Sequence, residues 1–181
     1  QRHMAGRDWR WLRYPFLSEG ETPEKHVAAR KLLKAHGYRI ASVTMSFGDY
    51  AWNEPYARCM AKGDAAAVAS LEASYLKAAK DSLDYSRRLS ATLYGRDIAY
   101  VLLMHAGAFD ARVMPRLLKM YQDNGAKFVS LEEAERDKFY AADFKTQATE
   151  APTTLENAMK AKGLPVPKLD LPFAELDRMC R

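Results

Sequence analysis

The run Ile98-Ala99-Tyr100-Val101-Leu102-Leu103-Met104-His105 decides how the fold is read. Almost every residue before His105 is apolar, which fits a strand buried on both faces. A second run, Tyr38-Arg39-Ile40-Ala41-Ser42-Val43-Thr44, is short, rich in β-branched residues and entered from a helix through Gly37. Helix, glycine turn and strand in succession make an αβ unit, so the order predicts a parallel sheet and an α/β architecture. In such sheets and barrels ligands bind at the carboxyl ends of the strands. His105 directly follows one run, and Asp49, in Phe47-Gly48-Asp49-Tyr50, lies in the loop after the other. Joined by Arg13, from Arg13-Tyr14-Pro15-Phe16-Leu17, they would form a charged cluster suited to acid–base work.

Around these runs the pattern is helical. Thr22 caps a helix with Pro23 at its first position and Glu24 in its first turn, and Gly37 ends it. Val68, Leu71, Tyr75, Leu76, Ala79, Leu83, Leu89 and Leu93 recur at steps of mostly three and four, predicting one very long helix from Asp64 to about Tyr94. A further helix starts near Asp110 and stops at Gly125, and Lys127–Val129 reads as a last short strand. Ser130 with Glu133 is a capping box, and Thr153 with Glu156 suggests one more helix to about Lys162. The Pro-containing stretch 163–172 should run extended over the surface. The predicted organisation is residues 1–147 as the main body and 148–181 as a helical and extended tail packed on it.

Composition excludes several classes. With 181 residues, 48% hydrophobic and 28% charged, the chain reads as globular and of single-domain size. No apolar run approaches the roughly 18 residues that span a bilayer. The net charge of +5 is spread over mixed surfaces, without the basic stripe or clustered aromatics of a nucleic-acid binder. Cys59 and Cys180 form no CxxC pair, so they are either two buried thiols or one disulfide.

The three motifs, in order, resemble those of the polysaccharide deacetylases that share the NodB homology domain (carbohydrate esterase family 4). Arg13-Tyr14-Pro15-Phe16 looks like that family's third motif. Ser46-Phe47-Gly48-Asp49-Tyr50 looks like the fourth, with Ser46 for its first Asp and Tyr50 for its Trp, and Leu103-Met104-His105 looks like the fifth. The resemblance covers residues 9 to about 145. It implies the C-terminal part of a distorted (β/α) barrel, with parallel strands, one very long helix and a helical tail. The first two motifs, which carry the catalytic base and the metal ligands, have no counterpart here, and neither His26 nor His36 sits in such a motif.

The implied activity is metal-dependent removal of N-acetyl groups from an amino-sugar polysaccharide. His105 would be the general acid for the leaving amine, Asp49 would hold it, and Arg13 would orient the base carboxylate. The Phe16 backbone N–H would face the oxyanion, while Leu103 and Tyr50 would line the acetyl pocket. The implied cofactor is a divalent metal, zinc first, with no ligand on this chain. The implied partners are an acetylated amino-sugar polymer and an N-terminal half supplied by a second polypeptide, or else self-association. Family habit places such enzymes outside the cytoplasm. The alternative is a non-catalytic carbohydrate-binding or interaction protein with a degenerate deacetylase fold. Singly, a His after an apolar run is most often structural, and a loop Asp most often caps a turn; only the ordered set points to chemistry.

Overall fold

The computed structural model describes residues 6, 9–18, 20–144 and 154–181. In chain order its elements are β1 (Trp11–Leu12), α1 (Pro23–Ala35), β2 (Arg39–Ile40), α2 (Asn53–Ala61), α3 (Ala65–Tyr94), α4 (Ala108–Asp123), α5 (Leu131–Ala134), α6 (Leu155–Ala161) and α7 (Phe173–Arg178). Short 3₁₀ segments lie at Pro15–Leu17, Asp49–Trp52 and Lys138–Phe144. The chain divides into two compact units, one of residues 1–44, 89–101 and 129–166, the other of residues 45–88, 102–128 and 167–181.

In the first unit β1 and β2 pair in parallel, Trp11 opposite Arg39 and Leu12 opposite Ile40. The Arg39 guanidinium lies 4.0 Å over the Trp11 ring, a cation–π contact that fixes the pair. The predicted caps form. Thr22 Oγ1 accepts from the Lys25 N–H at 3.3 Å, and Ser130 Oγ accepts from the Glu133 N–H at 3.1 Å. At α6 the capping residue is Thr154, whose hydroxyl accepts from the Asn157 N–H; the predicted cap Thr153 lies outside the described residues.

The second unit is built from helices around one aromatic cluster. Phe47, Trp52, Tyr75 and Phe109 are fully buried and meet edge-on, with Phe47–Tyr75 centroids at 4.9 Å and Trp52–Tyr75 at 5.4 Å. Such contacts add about 0.5–1.5 kcal/mol each beyond the area they bury. The Trp52 indole N–H donates to Ser74 Oγ at 2.8 Å, so its polar edge is satisfied as well. The long helix α3 matches the predicted span, opened by Asp64 Oδ1 accepting from the Ala67 N–H at 2.9 Å. Residues 65–88 of it belong to this unit and 89–94 to the other.

The chain is not part of a (β/α) barrel. Of the described residues 60% are helical and 4% are in strands or bridges. Their only sheet is the two-stranded β1–β2 pair. The two apolar runs do approach in parallel, but regular pairing is confined to one isolated bridge, Met45 with Leu102. The reason lies in side chains that take the backbone's hydrogen bonds. In the first unit the Thr44 N–H donates to the Val101 carbonyl at 3.1 Å, yet the Val101 N–H turns to Thr44 Oγ1 at 2.8 Å. The Ala99 carbonyl accepts from the Tyr140 hydroxyl at 2.6 Å. In the second unit the Ser46 carbonyl accepts from Ser82 Oγ at 3.0 Å. Ser82 and Ser86 of this unit are both buried, four residues apart on α3. The predicted strand Lys127–Val129 is likewise absent: its residues are exposed and pair with no strand among the described residues.

Cys59 and Cys180 form a disulfide across 121 residues of sequence. A loop that long is worth about 4–5 kcal/mol in the chain-entropy account. Beside it, Arg58 donates to the carbonyls of Leu176, Asp177 and Met179 at 3.0–3.1 Å, covering the end of α7 with a cation where the helix dipole is negative. The last helix is thereby clamped to α2.

In the first unit Arg96 makes a two-point ion pair with Asp137 at 2.8 Å, which holds the Asp137 carboxyl below its ordinary value. A carboxyl lowered on folding adds stability above its unfolded pKa, and that stability fades as pH falls through the folded value. The stability difference between the wild type and Asp137→Asn should therefore be constant near neutrality and shrink below about pH 4. Urea titrations of both proteins between neutral and acidic pH check this.

Candidate active site

The second unit brings Asp49 and His105 together. Gly48 sets up the turn: its φ of +68° is left-handed, and a Cβ there would stand 2.7 Å from the Phe173 ring. Asp49 then opens its 3₁₀ turn with its carboxylate turned inward and no exposed surface. Oδ2 accepts from the His105 backbone N–H at 2.6 Å, and Oδ1 lies 2.9 Å from His105 Nδ1. A carboxylate only accepts, so Nδ1 carries a hydrogen in this contact. The imidazole is fixed in orientation, and Nε2 is the ring nitrogen away from this contact, on a side chain that is 46% exposed. Tyr50, 58% exposed, stands edge-on to the imidazole with ring centroids 5.1 Å apart.

The loop carrying His105 is tied down at steps of four along the preceding segment. The Leu103 N–H donates to the Met45 carbonyl at 3.0 Å, His105 binds Asp49, and the Phe109 N–H donates to Asn53 Oδ1 at 3.0 Å. The last bond caps α4, whose N-cap residue Gly107 has no side chain for the task. Gly107 is required for another reason: a Cβ would stand 2.3 Å from side-chain atoms of both Asn53 and Asp110.

Beneath lies a polar network that sequence reasoning missed. Asp110 is buried in the first turn of α4, where a negative charge suits the helix dipole. It accepts from Asn53 Nδ2 at 2.7 Å and from the Tyr75 hydroxyl at 2.8 Å. Burial first, then the bond to Asp110, pushes the Tyr75 phenol far above its ordinary range, so it stays a donor. Tyr121 is raised too, by burial and then by the charge of Asp49, and its buried hydroxyl has no hydrogen-bond partner among the described residues. The available signal was Asn53, three residues beyond Tyr50 and just before Glu54-Pro55, a pair that fits the first turn of a helix. Sequence reasoning also left α2 unassigned.

The other predicted residues fall as follows. Leu103 belongs to the same unit, half-buried and bound through its backbone to Met45. Arg13 belongs to the first unit, where its Nε donates to the Ala41 carbonyl at 3.2 Å. Burial lowers its pKa, with Glu135 acting in the opposite sense. Phe16, in that unit too, is fully exposed at 101%, and Phe16 and Leu17 both take positive φ, 54° and 55°. Non-glycine residues rarely hold that conformation, and it strains the turn.

No family model, curated protein or solved structure matches this chain. Among the described residues no three His, Cys, Asp or Glu side chains group closely enough to hold a metal ion. By themselves the described residues therefore do not fit the implied metal site.

Asp49 is a tie for backbone as well as for the ring. Asp49→Ala should cost about 2–3 kcal/mol, because it strands the His105 N–H and empties a buried site. His105→Ala, which truncates a half-exposed ring, should cost less than about 1 kcal/mol. Denaturant unfolding of the two variants checks the order; equal costs would remove the structural role assigned to Asp49.

Proposed function

We propose that this chain carries the acid half of a hydrolytic site that removes N-acetyl groups from an amino-sugar polymer. The observation that carries the proposal is the two-point attachment of His105 to Asp49, which presents Nε2 on an exposed edge beside Tyr50. An imidazole held this way can deliver a proton to a leaving amine without first reorienting. The ordered likeness of Arg13–Phe16, Ser46–Tyr50 and Leu103–His105 to three deacetylase motifs supports the choice of reaction.

In this reading His105 Nε2 protonates the departing amine nitrogen. Asp49 keeps the ring in register and balances the charge of the imidazolium, and Tyr50 shields one side. The residues that would bind a divalent metal and activate water belong to further polypeptide, which is the partner this reading requires. The Cys59–Cys180 bridge supports a site of action outside the reducing cytosol.

The test is acetate release from oligomers of N-acetylglucosamine. Alone, with added zinc, the chain should release little or none. Combined with the polypeptide that supplies the metal-binding residues it should turn over, and His105→Ala should lower kcat by about 10²–10⁴-fold. Acetate release by the chain alone, or a combined rate indifferent to His105→Ala, would overturn the proposal.

A further inference from the structure

Beside Tyr50 the second unit holds a groove of about 320 Å³. Its floor is apolar, made by Pro55 and Leu176, and its two walls are the aromatic rings of Tyr50 and Phe173. Both rings are well exposed, 58% and 43%, although each stands on a rigid support. Tyr50 belongs to the turn that carries Asp49. Phe173 opens α7 and rests against Gly48, the glycine immediately before Asp49. The rim is polar: Glu54 and Asp177 bring carboxylates, and Arg58 brings a guanidinium bonded to Glu54 at 2.7 Å. The volume lies at the lower end of the range of small-molecule sites.

We infer that this groove is a subsite for one hexosamine ring of the polymer, next to the ring that reacts at His105. The inference rests on the reading of the site as a deacetylase. A pyranose ring has apolar C–H faces and a polar edge of hydroxyls, so it needs aromatic walls and a rim of acceptors and donors at once. The groove supplies both. Tyr50 makes the groove continuous with the reacting centre, since the same ring lines the groove and meets His105 edge-on at 5.1 Å. A chain occupying the groove therefore passes the imidazole.

Phe173 comes from α7, 68 residues beyond His105 in the sequence, and three devices hold it in place. They are the Cys59–Cys180 bridge, the Arg58 bonds to the end of α7, and the contact of its ring with Gly48. One wall of the groove thus depends on a disulfide that closes only when the C-terminus reaches α2.

The probe is a β-1,4-linked tetramer of N-acetylglucosamine, titrated calorimetrically into the intact chain, with glucose as a control. The tetramer should bind and glucose should not. Phe173→Ala should weaken binding about tenfold or more, and Phe173→Trp, which keeps a stacking face, should stay within about threefold of wild type. Cys180→Ser should weaken binding in the same direction by freeing α7. Circular dichroism melts show whether Phe173→Ala stays folded; if it does not, the Trp variant and Tyr50→Ala carry the comparison. Failure of the tetramer to bind, or binding indifferent to both Phe173→Ala and Tyr50→Ala, would overturn the subsite. Acetate release that needs His105 and ignores Phe173 would remove the subsite and leave the hydrolytic reading intact. Phe173-dependent binding with no acetate release in the combined protein would do the reverse.

Discussion

One carboxylate organises the second unit. Asp49 is wholly buried, yet both of its oxygens are occupied, one by the His105 backbone N–H and one by the His105 ring. A buried carboxylate without such partners would cost several kcal/mol. Here the desolvation is offset by two hydrogen bonds to an ionised acceptor, the stronger kind. Everything nearby follows from placing that group. Gly48 permits the turn, the Phe47–Trp52–Tyr75 cluster supports it from below, and the Met45 and Asn53 bonds hold the facing loop on either side. The imidazole has little freedom left except at its outer nitrogen.

The same constraint explains why α7 matters to a site that it does not enter. Phe173 occupies the space that a side chain at Gly48 would need, so α7 packs against the residue that turns Asp49 inward. Arg58 and the Cys59–Cys180 bridge then fix that helix to α2, which itself begins immediately after the Asp49 turn. His105, its aromatic neighbour Tyr50 and the groove-lining Phe173 thus share one small rigid frame. Rigidity of this kind is what the proposed proton transfer would require, since a displacement of even about 1 Å can cost 10²-fold in rate.

Local signals in the sequence were accurate where one residue decides one bond. Thr22, Asp64 and Ser130 cap helices as their side chains dictate, and the three- and four-residue spacing from Val68 to Leu93 gives the long helix its full span. The pairing of Asp49 with His105 was legible too, because each closes an apolar run and the runs lie in parallel. The sheet was not legible. Apolar, β-branched runs predict a ladder only when the backbone has no better partner, and here Thr44, Tyr140 and Ser82 bond to those runs from the side. That competition is tertiary and leaves no trace in hydrophobic periodicity. Arg13 shows a second limit: its partner, the Ala41 carbonyl, lies 28 residues away in the sequence and no local signal names it. The Asn53–Asp110–Tyr75 network stayed hidden because its members, 57 and 35 residues apart, close no apolar run that would mark them.

The proposed function requires that Asp49 hold the His105 ring with a hydrogen on Nδ1 and leave Nε2 to exchange a proton with substrate. Long-range ¹H–¹⁵N correlation spectra of the imidazole test it most directly. In the neutral ring the account predicts a protonated Nδ1 and an unprotonated Nε2, and Asp49→Ala should abolish that preference. A neutral ring protonated at Nε2 in the wild type, or a tautomer unchanged by Asp49→Ala, would contradict it.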